Sequence, residues 1–281
     1  MLGFGFLEQR LSFNKPILDV DQFYFNKPMP ILKMILNMKR ILFSIAIILM
    51  AFQITKAQSI YKSGVFPTID HTGTISKKID YSIYYFGAFP IVNFTNTNEP
   101  KDANFLLFYS EQALTLNVKK RLSFTGSFVY QREYVNNDNY SNENRLFIQA
   151  TYKQSTKKVN LKHRLRFDSR FIQNKTTGER PFTHRLRYLI GLDFPIKNKK
   201  NNLYLTAYEE AFFNTFKSTG AVYGENWAYA ALGIKLNNRN KLETGPLYIT
   251  WNTGGQNWFH QYYLQMTWIS SIDFTKSKTT N

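Results

Sequence analysis

The sequence predicts an all-β chain, an antiparallel up-and-down β-barrel of about ten strands within a range of eight to twelve. Three observations carry that expectation. Downstream of Gln58 no stretch holds a helical period, and runs of two-residue alternation recur between clusters of Asn, Lys, Gly, Ser and Asp. The runs are long, each near or above the roughly 9–11 residues that a tilted membrane strand needs, whereas a globular strand has about 5–6. The 281-residue chain is also 17% aromatic, with 25 Phe and 18 Tyr, a composition that favours strands and membrane-interface belts. Its mean hydropathy of −0.35 excludes a bundle of transmembrane helices but not a barrel, in which only alternate residues meet lipid.

An export segment precedes the strands. Met38-Lys39-Arg40 forms a basic start, Ile41 to Ile54 an apolar run, and Thr55 and Ala57 flank Lys56 with small residues. This is the pattern of a secretory signal peptide cleaved after about Ala57. The apolar run falls short of the about 20 residues needed to cross a bilayer as a helix. Signal peptides begin at their initiator Met, so residues 1–37 read as a mis-assigned N-terminal extension. Met38 is the expected start rather than Met1, with Met34 a second candidate. The domain plan is therefore an extension over 1–37, a signal peptide over 38–57 and a single barrel domain over 58–281.

Ten alternating runs follow, at about 77–88, 104–117, 121–134, 143–154, 158–173, 181–195, 202–215, 225–237, 240–252 and 257–274. In the fifth, Val159, Leu161, His163, Leu165, Phe167, Ser169 and Phe171 share one face, and Asn160, Lys162, Arg164, Arg166, Asp168 and Arg170 the other. In the sixth, Phe182, His184, Leu186, Tyr188, Ile190, Leu192 and Phe194 oppose Thr183, Arg185, Arg187, Leu189, Gly191 and Asp193. The last sets Trp258, His260, Tyr262, Leu264, Met266 and Trp268 against Phe259, Gln261, Tyr263, Gln265 and Thr267. Successive strand residues point to opposite faces, so the sheet is apolar on one side and charged on the other.

A soluble exported β-sandwich would turn the apolar face inward; a membrane barrel turns it outward. Trp258 and Trp268 lie ten residues apart on one face, about 25 Å along a tilted strand, the spacing of two aromatic girdles around an apolar band. Phe171, Phe182 and Phe194 join them as girdle residues. Connections alternate between short (118–120, 155–157, 196–201, 238–239) and longer (89–103, 135–142, 174–180, 216–224), with 253–256 short out of turn. Short periplasmic turns, long external loops, an even strand count and both termini inside give this rhythm. The last strand closes on Trp268, Ile272 and Phe274, like the aromatic terminal strand used for assembly. The expected location is the outer membrane of a Gram-negative bacterium. Membrane lipid and, during insertion, the barrel-assembly machinery are the expected partners.

The formal net charge of +17 suggests an anionic partner at first sight. Residues 1–57 hold seven basic and three acidic residues, leaving 29 and 16 and a net of +13 for the barrel domain. Many of these fall on the lumen face: Arg145, Lys162, Arg164, Arg166, Asp168, Arg170, Arg185, Arg187, Asp193, Glu210 and Glu243. The leading expectation is an interlocked Arg–carboxylate lumen, because buried charges are tolerated only when paired and bidentate geometry suits the pairing. The alternative is a narrow anion-preferring pore. Lys119-Lys120-Arg121 and Lys197-Asn198-Lys199-Lys200 read as solvated turns or contacts to anionic lipid. No nucleic acid is expected, because the basic residues sit inside an exported barrel.

Signals for chemistry are few. The chain has no cysteine, which excludes thiol chemistry and a disulfide framework. No metal-ligand spacing occurs, and no cofactor is expected. Gly254-Gly255 reads as a hairpin turn. Glu209 and Glu210 are adjacent and so face opposite ways, with only Glu210 on the lumen parity. If the fifth and sixth strands form a hairpin, Ser169 lies nearly opposite His184 on the apolar face. Such a pair could serve as nucleophile and base on a lipid ester; the alternative is an interfacial Ser and His without chemistry. His163 and His260 read as interfacial side chains. The expected role is non-enzymatic, structural or loop-borne binding, with a pore, a lipid-active enzyme and a soluble β-sandwich binding protein as alternatives.

Glu143-Asn144-Arg145-Leu146, His163-Arg164-Leu165-Arg166, Arg185-Leu186-Arg187-Tyr188, Glu209-Glu210-Ala211-Phe212-Phe213-Asn214 and Leu242-Glu243-Thr244-Gly245, closed by the aromatic last strand, carry a family resemblance. Over roughly 75–274 the chain resembles the bacterial exported family known as domain of unknown function 2490. Trp227 stands where that pattern places an Arg after Asn226. The resemblance implies an outer-membrane barrel and brings no activity with it.

Overall fold

A computed structural model describes residues 60–94, 106–136, 139–156, 159–174, 177–196, 200, 202–216, 222–254 and 257–275. The extension expected over 1–37 and the signal peptide expected over 38–57 lie outside them. Among the described residues there are eleven strands and no helix: β1 (Ile60–Thr74), β2 (Ile79–Phe94), β3 (Leu107–Lys119), β4 (Leu122–Asn136), β5 (Asn139–Ser155), β6 (Asn160–Ile172), β7 (Phe182–Ile196), β8 (Leu203–Phe216), β9 (Tyr223–Lys235), β10 (Asn240–Gly254) and β11 (Asn257–Asp273). Each pairs with its sequence neighbour antiparallel, and β1 pairs with β11 in parallel to close the barrel.

That parallel seam corrects the expected even count. The ten anticipated strands correspond to β2–β11; the eleventh is β1, whose sequence lacks the contrast between greasy and charged faces. Its inward residues are Phe66, Thr68, Asp70 and Thr72 and its outward ones include Pro67, Ile69 and His71. Pro67 has no N–H to give, and the β1–β2 ladder steps across it from Val65–Phe89 to Thr68–Phe86. Parallel pairing is slightly weaker per residue than antiparallel, and His71 ties the seam to both neighbours. Its Nδ1 lies 2.7 Å from Ser270 Oγ on β11, and its Nε2 lies 2.9 Å from Tyr81 Oη on β2. With an odd count the two ends of the sheet are no longer on the same side: β1 starts beside the start of β11, so Ile60 and Asp273 lie at opposite mouths.

One mouth, the short-turn end, carries connections 75–78, 120–121, 156–159, 197–202 and 236–239; the other carries 95–106, 137–138, 173–181, 217–222 and 255–256. The loop expected over 135–142 shrinks to 137–138 because β4 and β5 pair out to Asn136–Asn139. Following partners once round from Thr74 through Asp80, Thr115, Thr125, Gln149, Arg166, Arg187, Phe212, Glu225, Trp251 and Phe259 leads back to Ile60, the far end of β1. Closure with this stagger tilts every strand steeply against the barrel axis.

The sheet is inverted relative to a soluble sandwich. Large apolar side chains such as Ile148, Leu114 and Leu165 are exposed outside, whereas Arg145, Arg166, Asp168 and Glu210 are buried within. Backbone proximity between β9 and β10 fixes one position sharply. A Cβ on Gly245 would sit 2.0 Å from the Ala230 carbonyl oxygen, whereas a Cβ on Gly126 would meet nothing within 4 Å. Gly245→Val is expected to destabilise the barrel by about 1–3 kcal/mol, seen as a lower temperature for loss of the compact band on an unboiled gel. Gly126→Ala should leave that temperature unchanged.

Candidate functional site

The lumen has two unlike walls. Strands β4 to β8 supply the charged one. Antiparallel register sets Arg145 directly opposite Arg170, and Arg166 directly opposite Arg187, pairs that would repel if left alone. Carboxylates are threaded between them. Glu143 accepts from Arg145 Nε at 2.8 Å and from Arg170 through a two-pronged contact at 2.8 and 2.7 Å. Glu210 does the same for Arg187, at 2.8 and 2.9 Å, while Arg164 Nη2 reaches its Oε2 at 2.7 Å.

Asp168, fully buried, is the hub. Its Oδ2 lies 3.2 Å from Arg185, 3.7 Å from Arg187 and 3.8 Å from Arg145. Arg185 continues to Glu225 at 3.0 Å. Arg166 pairs with Glu111 at 3.2 Å and donates to Gln149 Oε1 at 2.9 Å. Ring faces complete the support: Arg166 lies 3.6 Å over Phe147, and Arg185 and Arg187 lie 4.7 and 4.3 Å over Phe212.

The second wall, on β1–β3 and β9–β11, is aromatic. Phe66 stacks on Phe86 at 4.6 Å, and Phe86 on Tyr109 at 4.4 Å. Trp227 presents its edge to Phe66 and Phe86, and its Nε1 donates to Glu225 Oε1 at 2.6 Å. Trp227 thus engages the charge network as a donor without charge. Tyr109 makes the other junction, donating to Glu111 Oε2 at 2.7 Å.

Between the walls lies a cavity of about 960 Å³. The structure brings Arg145, Arg164, Arg166, Asp168, Arg170, Arg185, Arg187 and Glu210 into ion pairs. Lys162, Asp193 and Glu243 line the cavity toward the short-turn mouth and stand outside those pairs. Asp193 accepts from Thr206 and Glu243 from Tyr204, each at 2.7 Å. Glu111, Glu143 and Glu225 complete the lattice although strand parity did not single them out; their two-residue spacing from Tyr109, Arg145 and Trp227 is the signal that places each pair on one face.

Charge in the lumen is balanced. Arg145, Lys153, Lys162, Arg164, Arg166, Arg170, Arg185, Arg187 and Lys241 face Asp70, Glu111, Glu133, Glu143, Asp168, Asp193, Glu210, Glu225 and Glu243, nine against nine. The excess of basic residues therefore lies elsewhere, correcting the view that lumen packing absorbs most of it.

On the outward face Ser169 and His184 are direct cross-strand partners, with Oγ and Nδ1 3.3 Å apart. The imidazole packs between Phe167 at 4.8 Å and Phe182 at 4.3 Å. His163 and His260 each meet a tyrosine hydroxyl at 2.7 Å, from Tyr188 and Tyr248. Glu209 points outward to Asn226 and Glu210 inward. Aromatic residues mark both rims: Phe171–Phe182 and Trp258–Tyr223 contacts at the longer-loop end, Phe194 and Trp268 at the other. No group of His, Asp and Glu able to hold a metal ion occurs among the described residues.

Glu143→Gln leaves Arg145 and Arg170 facing each other without their shared anion, and is expected to cost about 3–5 kcal/mol. Adding Arg170→Gln should recover part of that loss. Urea unfolding of the single and double variants measures both.

The model of the family described as "Protein of unknown function (DUF2490)" matches residues 74–260, well over half of the chain and most of the region carrying the resemblance. No curated protein and no solved structure matches. A closed, charge-filled barrel spanning this match is thus a form taken by a family without an assigned activity, and the chain belongs to the family of unknown function DUF2490.

Proposed function

We propose that the chain is an integral barrel of a bacterial outer membrane, non-enzymatic, with an Arg/Glu-packed lumen wall and a role that is structural or exercised through its longer loops. One observation carries this reading: the inverted distribution of polarity. Outside, Ile148 is 68% and Leu114 59% exposed; inside, Asp168 is 0% and Arg145 2% exposed. Water-exposed apolar surface on soluble monomers is confined to patches of about 300–600 Å², whereas this band runs round a closed sheet, and lipid is the solvent that stabilises it. Strands of 13 to 17 residues exceed the span of the hydrocarbon core. The short turns then face the periplasm.

Balanced charge in the lumen favours mutual packing over an anion filter, which would need a net positive constriction. The Ser169–His184 contact admits chemistry on a lipid ester, yet the ring is held by aromatic stacking as an interfacial histidine would be.

Cell fractionation tests the main reading. The protein is expected in the detergent-dependent outer-membrane fraction, running faster unboiled than boiled; recovery in the soluble fraction without detergent overturns it. Purified protein in planar bilayers should give no anion-selective current, and a chloride-selective conductance would restore the pore. Ser169→Ala should leave lipid turnover by the purified barrel unchanged, and a loss of hydrolysis would make the protein an enzyme.

A further inference from the structure

We infer that the outer wall of β3 to β6, with the basic turns at its foot, holds a phospholipid bearing an anionic headgroup; the inference rests on the membrane reading above. The outward face carries a groove of about 740 Å³, walled by Leu114, Phe124, Ile148, Leu165 and Phe167 and lined almost wholly by carbon. Its floor is made by two small residues. Gly126 lies opposite Ile148, and Ala150 lies between Phe124 on one side and Leu165 on the other. Open space above Gly126 makes this a dent in the apolar band, shaped for an acyl chain.

Shape alone does not retain a lipid, because the surrounding tails are as apolar as the groove. Selectivity has to come from the headgroup. The groove reaches Ile79 and Leu116 at its short-turn end, where Lys77-Lys78 and Lys119-Lys120-Arg121 form two exposed basic turns. Backbone hydrogen bonds bring these turns together: Asn117 N–H donates to the Lys78 carbonyl and Lys153 N–H to the Arg121 carbonyl, both at 2.8 Å. The nearby carboxylate, Asp80, is already engaged by Asn117 Nδ2 at 2.6 Å. Because the lumen is neutral, these cations belong to the chain's surplus and are available to a phosphate. Lys and Arg beside a bilayer attract anionic lipid in just this way. With short turns toward the periplasm, the lipid sits in the inner leaflet, tail up the groove and phosphate at the turns.

The test uses full-length barrel purified in detergent, offered phosphatidylglycerol or phosphatidylcholine of equal chain length and analysed by native mass spectrometry. Phosphatidylglycerol is expected to be retained about tenfold better. The combined change Lys119→Gln, Lys120→Gln, Arg121→Gln should abolish that preference, and Gly126→Leu should remove retention while the unboiled gel band stays compact. Equal retention of the two lipids, or unchanged retention in Gly126→Leu, overturns the inference while the membrane reading stands. So does a dimer that Gly126→Leu converts to monomer, which would make a second copy the occupant. Recovery of the protein without detergent overturns both readings together.

Discussion

Six arginines crowd the interior from three adjacent strands, β5 to β7, two pairs of them directly opposed across the ladder. Nothing in the fold is possible unless that positive charge is answered within the lumen, because desolvated guanidinium groups without partners would cost several kcal/mol each. Glu143, Asp168 and Glu210 each answer more than one arginine, and Asp168 has no solvent exposure with which to do anything else. Four strands, β5 to β8, are thereby cross-braced by side chains in addition to their backbone ladders. Phe212 and Phe147 lie beneath the guanidinium planes of this wall, and the aromatic wall faces it across the cavity.

Strand parity is legible in the sequence wherever charged and apolar residues alternate without interruption. β6, β7 and β11 meet that condition, and their inward and outward sets are those the alternation implies. Ser169 and His184 also meet across the ladder as the hairpin reading requires, since a short register error would have separated them. β1 escapes because Phe66 and Thr68 face inward and Pro67 and Ile69 outward, which leaves no contrast of polarity to read. The carboxylates of the lattice escape for a related reason. Glu111 belongs to a strand with few lumen charges, and Glu225 precedes a tryptophan; both gain meaning only once closure brings distant strands across the barrel.

The aromatic half of the lumen is likewise a product of closure. Tyr and Phe residues in the sequence suggest girdles on the outer face, and some lie at its rims, yet Phe66, Phe86, Tyr109 and Tyr263 point inward and form a core. A single composition thus serves both faces of the sheet. The same ambiguity affects charge: the surplus of basic residues implies a positively charged interior until the pairs are counted, and the counting moves the surplus to the turns.

The parallel seam between β1 and β11 gives the barrel a direction. An even meander returns the chain to the mouth where it began, so both tails share one compartment. Here the polypeptide enters at the mouth with the longer loops and leaves at the mouth with the basic turns, passing from one to the other an odd number of times. A label attached ahead of Ile60 and one attached behind Asp273 would therefore face different compartments across any sheet of lipid the barrel spans.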